Sequence, residues 1–236
     1  MNSTLSIIVP IFITTLLFSR CDGIDESSQG TSLLHSGKSL TTVLHERNLR
    51  PGVPIFIRIF KEESELEMWV RGSNGTFEHL ISWPICKWSG TLGPKLQEGD
   101  RQSPEGFYYV TPSRMNPNSN YHLAFDVGYP NEYDRSHGRT GSEIMVHGIC
   151  GSLGCFAMTN PLMDEIWLMA TGALEEGQPF FRVHIFPFRM TDENMERHGN
   201  SKWKEFWENL REGYEYFEER RRPPEVSVNE GNYIFE

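Results

Sequence analysis

In the run His147-Gly148-Ile149-Cys150-Gly151-Ser152-Leu153-Gly154-Cys155, an imidazole and a thiol stand eight residues apart with three glycines between them. Acyl transfer through sulfur needs a thiolate, an imidazole to take its proton, and backbone N–H groups to hold the tetrahedral oxyanion. Cys155 is the candidate nucleophile and His147 the candidate general base. Gly148 and Gly151 permit the chain to fold back, and Gly154 allows close backbone approach beside Cys155. The N–H groups of Gly154 and Cys155 are the natural oxyanion donors. Spacing alone leaves two other readings open. One is a buried cysteine near a satisfied histidine. The other is a metal site made by His147, Cys150 and Cys155 with His122 or His184, although the pattern HxxC then xxxxC matches no common zinc spacing.

Cysteine arithmetic bears on the choice. The four cysteines, Cys21, Cys86, Cys150 and Cys155, are too few to build a disulfide scaffold of 236 residues. Residues Leu5 to Phe18 (LSIIVPIFITTLLF) form an uncharged apolar run that is short for a membrane span of about 20 residues and suits a signal segment. Pro10 and an uncharged N-terminal flank keep an uncleaved anchor open, and Cys21 keeps lipidation open, with Arg20 where a small residue would be expected. If Cys21 departs with a signal, three cysteines remain, and an odd number in an exported protein leaves a free thiol or an intermolecular partner. Cys150 either pairs with Cys86 and leaves Cys155 free, or is a buried inert residue, or bridges Cys155 and silences it. The first is the most economical.

The elements that must position this pair can be read coarsely. Residues 23–50 are polar, with a weak helical pattern at Leu40, Val43 and Leu44, and read as a linker with a short helix. VPIFIRIF, LEMWVR and FEHLISWPIC are short alternating β runs separated by turn residues. Between Trp88 and Pro117 the chain is dense in Gly and Pro and reads as a long structured loop with a brief strand at Gly106 to Thr111. Further strands follow at Tyr121 to Val127 and Glu143 to His147, the second ending at the motif. Pro161 to Leu174 has helical spacing, with Asn160 as N-cap and Pro161 as first helical residue. Phe180 to Phe188 is strand-like. From Thr191 a helical stretch carries an aromatic stripe, Trp203, Phe206, Trp207, Leu210, Tyr214 and Phe217, whose default meaning is core packing.

The net charge of -10 gives no general attraction to phosphate backbones, so nucleic acid is excluded as a partner. Arg220-Arg221-Arg222 reads as a solvated helix end. Nothing in the residues requires a cofactor.

The motif and several flanking blocks resemble the YkuD-type L,D-transpeptidase catalytic family, most closely its YafK branch. The family signature is a His, a spacer, then Ser/Thr-His-Gly-Cys, and His147-Gly148 and Ser152-Leu153-Gly154-Cys155 stand in those places. The blocks Pro84 to Gly90, Leu92 to Lys95, Glu98 to Asp100, Ser103 to Tyr108 and Ile185 to Asp192 extend the resemblance over roughly Pro51 to the C-terminus. Leu153 replaces the usual second His and Ala157 replaces an arginine, both in the manner of the YafK branch. His147 is then the sole general base of the motif.

The resemblance implies an α+β fold with a mostly-β, sandwich-like core and C-terminal helices packed on it. Its expected boundaries are a signal or anchor at 1–22, the linker at 23–50, a catalytic domain at 51–190 and a helical extension at 191–236. It implies that the Gly148 carbonyl orients His147, and that Cys155 forms an acyl-enzyme with diaminopimelate-containing peptide stems of peptidoglycan. The expected location is the periplasm or envelope of a Gram-negative-type bacterium, with any membrane anchoring through the N-terminus alone. Relatives in the branch are linked to release of murein-bound lipoprotein as well as to L,D-transpeptidation. Tyr121, His122, Tyr129, Arg135 and Ser152 are candidates to contact the stem's carboxylates or its diaminopimelate amine, and Lys95 and Asp100 to order the Gly/Pro-rich loop as a lid. The competing function is a non-catalytic peptidoglycan-binding module that keeps the fold.

Overall fold

The computed structural model describes residues 38–236, so the expected signal segment, Cys21 and most of the linker lie outside the described residues. The described chain begins at a short helix, α1 (Leu40–Glu46), capped by the Ser39 side chain and burying Leu40, Val43 and Leu44.

Strands β1 (Ile55–Phe60), β2 (Glu65–Arg71) and β3 (Phe77–Pro84) form an antiparallel meander. It is extended by β9 (Phe181–Phe186), which lies parallel to β1, and then by β4 (Gly106–Val110), giving the order β3-β2-β1-β9-β4. Every residue of β1 is buried, because this central strand is covered on both faces; its run IFIRIF is apolar but for Arg58, whose charge is met by Glu67 and Glu218. Ile55, Ile57 and Ile59 face the main core. Phe56 and Phe60 face the opposite layer.

The main core joins this sheet to a second one, β5 (Met115–Ser119), β6 (His122–Asp126), β7 (Met145–His147) and β8 (Phe156–Ala157), and to α3 (Asn160–Glu175). Phe125, Val146 and Phe156 from the second sheet meet Ile57, Val183 and Ile185 from the first, with Met163, Ile166 and Met169 from α3 beside them. The result is a mixed α+β fold with a sandwich-like core. Residues 112–114 make a single 3-10 turn before β5, and α2 (Glu132–Ser136) opens on an Asn131 capping box.

The other face of the large sheet is covered by the C-terminal segment. The helical stretch expected from Thr191 onward divides into α4 (Asp192–Arg197), capped by the Thr191 side chain, and α5 (Lys204–Arg220). The aromatic stripe of α5 packs onto Phe60 and Phe186. The chain then ends in a hairpin, β10 (Val226–Asn229) and β11 (Asn232–Phe235), where the sequence suggested only helix. Its two turn residues, Glu230 and Gly231, both have positive φ, as a tight hairpin turn requires.

One buried ion pair ties the long loop to both layers. Lys61 and Glu105 are each 0% exposed, with Nζ 2.8 Å from Oε1. The ammonium also donates to the carbonyls of Gly93 and Ser103, while Glu105 accepts from the Gly93 N–H and from Trp207 Nε1 of α5. Burial pulls the Lys61 pKa down, against the attraction of Glu105. Deleting one partner leaves a buried charge uncompensated. Glu105→Ala is therefore expected to lower stability by about 3–5 kcal/mol in urea unfolding; a loss below about 1 kcal/mol, the range of surface pairs, would show that the pair does not hold the loop.

Candidate active site

His147 is the last residue of β7, and β8 runs parallel beside it with Val146 opposite Phe156 and His147 opposite Ala157. Cys155, one residue before β8, consequently lies alongside Met145. Its Sγ accepts the Met145 N–H at 3.4 Å and lies 3.6 Å from the Glu143 carbonyl. No hydrogen bond joins Sγ to the imidazole among the described residues. The ring is oriented instead by its own backbone: Nδ1–H donates to the Gly148 carbonyl at 2.5 Å. That bond leaves Nε2 as the unprotonated nitrogen, the form a general base requires. The Tyr121 ring packs against the imidazole with centroids 5.0 Å apart.

The loop between the two residues is tied at several points. Cys150 forms a disulfide with Cys86, Cα atoms 5.6 Å apart, which leaves Cys155 the free thiol among the described cysteines. The zinc set left open by spacing loses Cys150 by the same bond. Asn160 is not the cap of α3; Thr159 occupies that position, and the Asn160 side chain accepts the Ile149 N–H at 2.9 Å. Ile149 itself has φ +61°, an uncommon value for a β-branched residue, sustained by this contact and its neighbours. At Gly154, φ is +124°, a value only glycine adopts readily.

Three hydroxyls cradle the peptide on which Cys155 sits. Ser89 Oγ accepts the Gly154 N–H at 2.6 Å. Ser103 Oγ and Ser152 Oγ both donate to the Cys155 carbonyl, at 3.2 and 2.6 Å. Gly154 therefore differs from its expected role: its N–H is already bound to Ser89, and the Cys155 N–H is the donor of the expected pair that no serine engages. The Cys86–Cys150 bond closes 64 residues of sequence across this cradle. Cys150→Ser should lower stability by roughly 4 kcal/mol on the chain-entropy account, read as a fall in the urea midpoint; an unchanged midpoint would mean that the bond does not restrain the loop.

Burial sets the protonation of both groups. It pushes the Cys155 thiol above its ordinary value of 9.0, with Asp126 and Glu143 adding to the rise and the Met145 N–H and Lys95 opposing it. It pulls His147 below 6.5, opposed by the Gly148 carbonyl. At neutral pH the resting pair is a thiol and a neutral imidazole, so proton transfer belongs to the reaction rather than to the resting state.

Residues 56–215 match the family model described as "YkuD: L,D-transpeptidase catalytic domain". The chain belongs to the L,D-transpeptidase catalytic family. It is 50% identical over 203 residues to "Putative L,D-transpeptidase YafK" of Escherichia coli (strain K12), an alignment covering 86% of this chain and 82% of that protein. Among solved structures, the helical cell shape determining protein Pgp2 of Campylobacter jejuni overlays with TM-score 0.45 at 18% identity, covering 81% of this chain and 80% of that one. Bd1075 of Bdellovibrio bacteriovorus overlays with TM-score 0.39 at 23% identity over 70% of this chain and 62% of that one.

Within this transpeptidase-family site, the residues singled out from sequence separate into two groups. Tyr121 packs on His147, Ser152 lies in the cradle, and His122 stands beside Gly148, where a Cβ built on that glycine would meet the His122 Cβ at 2.8 Å. His122 Nε2 pairs with Asp164 of α3 at 2.6 Å. Tyr129 is not available to substrate: it is buried, and its hydroxyl donates to the carbonyls of Lys95 and Thr140. Arg135 makes no hydrogen bond or ion pair with the motif among the described residues. It lies on α2, donates to the Pro130 carbonyl, and lines a cavity that contains neither His147 nor Cys155. Lys95 and Asp100 pair at 2.6 Å, and Asp100 also accepts the Leu96 and Gln97 N–H groups, which folds that loop on itself. Ser89, Ser103, Asp126 and Glu143 carry no such signal in the sequence, and Asn160 reads there only as a helix cap. Ser89 and Ser103 lie within blocks that carry the family resemblance, but their contacts with Gly154 and Cys155 span 65 and 52 residues of sequence.

Proposed function

We propose that this protein is an exported, thiol-dependent murein peptidase or L,D-transpeptidase, acting on diaminopimelate-containing peptide stems through an acyl-enzyme on Cys155. The observation that carries the reading is the placement, at adjacent strands, of the free thiol among the described residues and a buried imidazole whose Nδ1–H is bound to the Gly148 carbonyl, leaving Nε2 to accept a proton. In the reaction Sγ leaves its contact with the Met145 N–H and comes within reach of Nε2, a tightening expected when substrate fills a site that rests in a looser geometry. Nε2 takes the thiol proton as sulfur attacks the stem carbonyl at an L-centre. The oxyanion is held by the Cys155 N–H. The imidazolium then protonates the departing amine and a thioester remains. Water or a second amine, deprotonated by His147, releases the acyl group and restores the thiol.

Charge around the sulfur suits such a substrate. Asp126 and Glu143 act electrostatically on Cys155, so negative charge lies near the reacting atom, while the Lys95 ammonium is held by Asp100. The amine of a diaminopimelate end is suited to meet Asp126 and Glu143. Peptidoglycan is thus the proposed partner, and murein-bound lipoprotein is released where the departing amine is its lysine side chain. A disulfide across the site supports an oxidising envelope compartment.

Mass spectrometry of sacculi incubated with wild-type and Cys155→Ala protein separates the outcomes. New free stem ends indicate hydrolysis, and exchanged cross-links indicate transpeptidation; either must disappear with the variant. Binding to sacculi without any product from the wild type would favour the non-catalytic module, consistent with Leu153, 75% exposed, where the family pattern has a second His.

A further inference from the structure

The backbone ladder around His147 stops one peptide short of the group that orients its ring. The Met158 N–H donates to the His147 carbonyl at 2.7 Å and the Gly148 N–H to the Leu123 carbonyl at 3.1 Å, so neighbouring backbone fixes the chain as far as the Gly148 nitrogen. The next peptide unit, which joins the Gly148 carbonyl to the Ile149 N–H, lies past the end of β7. Its carbonyl accepts His147 Nδ1–H, and its N–H donates to Asn160 Oδ1 at 2.9 Å. One rigid plane therefore carries the imidazole on one edge and the Asn160 side chain on the other. A peptide N–H is only a donor, so the amide oxygen of Asn160 must face it.

The chain is shaped to make this contact. A Cβ at Gly148 would lie 2.7 Å from Asn160 Oδ1 and 2.8 Å from the His122 Cβ, so the absence of a side chain there is what lets the amide approach. Ile149 is held at φ +61°. For a β-branched residue that conformation is strained, and it persists only where the surroundings enforce it, commonly at functional sites. The Asn160 bond on its N–H and the disulfide of the next residue, Cys150, enforce it here. Asn160 opens α3 behind a Thr159 whose side chain makes no cap bond, yet it reaches back 11 residues to the motif loop.

We propose that Asn160 is a positioning residue for His147: acting through the Gly148–Ile149 peptide, it holds the carbonyl that keeps the imidazole proton on Nδ1 and leaves Nε2 free to take the thiol proton. Which nitrogen of a neutral imidazole carries the proton is set by the hydrogen bond that the ring makes, and that bond is only as well placed as its acceptor. Polarisation works in the same direction, because donation from the Ile149 N–H to Asn160 strengthens the Gly148 carbonyl as an acceptor. The role rests on His147 serving as the base for Cys155, whereas the position of the proton can be read without turnover.

The test uses full-length protein labelled with 15N-histidine, at a pH where the imidazole is neutral, with the His147 resonances identified by their loss in His147→Gln. The wild type and Asn160→Asp, which keeps an acceptor oxygen, should show the Nδ1–H form of His147 alone. Asn160→Ala should show a mixture of the two neutral forms. With a stem tetrapeptide as substrate, Asn160→Ala should lower kcat and kcat/KM alike by about 10-fold to 100-fold, the usual loss when an outer partner that orients a histidine is removed. Asn160→Asp should keep most of the rate. Asn160 is exposed, so both variants should unfold near the wild-type midpoint; if Asn160→Ala does not fold, Asn160→Ser, one bond too short to reach Ile149, takes its place. The proposal is overturned if His147 in the folded variant keeps the Nδ1–H form alone, if kcat is unchanged, or if Asn160→Asp and Asn160→Ala lose rate equally. Should the wild type turn over no stem peptide, the Cys155 reading fails, and the resonances still decide whether Asn160 sets the position of the proton.

Discussion

Cys155→Ala should lower turnover of stem peptides at least about 10,000-fold, with no product detectable in the time the wild type consumes its substrate. The magnitude follows from the mechanism, because no other thiol among the described residues is free to take over the attack. Folding should survive the change. Cys155 is half-buried, its Sγ makes only weak contacts with the Met145 N–H and the Glu143 carbonyl, and the cradle of Ser89, Ser103 and Ser152 binds backbone atoms that alanine keeps. The unfolding midpoint should therefore correspond to a change within about 1 kcal/mol. A variant that remains folded and still turns over its substrate would remove Cys155 from the mechanism.

His147→Ala should cost about 100-fold to 10,000-fold, and its pH profile carries more information than its rate. In the wild type the neutral imidazole is the active form. Burial lowers the His147 pKa below 6.5, so activity is present above that lowered value and is lost as pH falls through it; the acid limb lies on the low side of pH 6.5. Without the imidazole, the thiol must ionise to solvent, and burial has pushed its pKa above 9.0. The residual rate of the variant should climb about tenfold per pH unit, as simple ionisation dictates, and continue to climb past pH 9.0. A flat residual rate between pH 6 and 9 would contradict general-base catalysis by His147.

Several parts of this arrangement were open to reading from the residues, each for a physical reason. Strands β1 to β3 announce themselves through short alternating or continuous apolar runs divided by turn residues, and local pattern is enough to define such a meander. The special nature of Gly154 follows from its place beside Cys155, and the Cys86–Cys150 pair was one of three possibilities that cysteine arithmetic left open. Contacts made across long stretches of sequence were hidden. Nothing local to Phe181–Phe186 says that β9 inserts parallel to β1 rather than at an edge, since that register is decided by packing. The Ser89 contact that engages the Gly154 N–H belongs to the same class.

Local signals also misled. Asn160 has the chemistry of a cap and stands just before Pro161, yet Thr159 takes the capping position and Asn160 serves the motif loop through Ile149. Tyr129 and Arg135 were attractive because they lie close to the motif in sequence and carry groups that bind carboxylates. Tertiary packing assigns the Tyr129 hydroxyl to two backbone carbonyls and places Arg135 at a cavity whose lining includes neither His147 nor Cys155. The aromatic stripe of α5 was a sound indication of core, whereas the hairpin after it, with Glu230 and Gly231 in its turn, lacks the Asn-Gly or Asp-Gly pair that most clearly marks such a turn.

The most direct measurement is intact-protein mass spectrometry after acid quench of the wild-type enzyme with a diaminopimelate-containing stem tetrapeptide, followed by peptide mapping. The predicted result is a thioester adduct with the mass of the acyl fragment on the peptide containing Cys155, appearing before product, chased by water or added amine, and absent from Cys155→Ala. Cleavage that persists in Cys155→Ala, or an adduct carried by any other residue, would contradict the account.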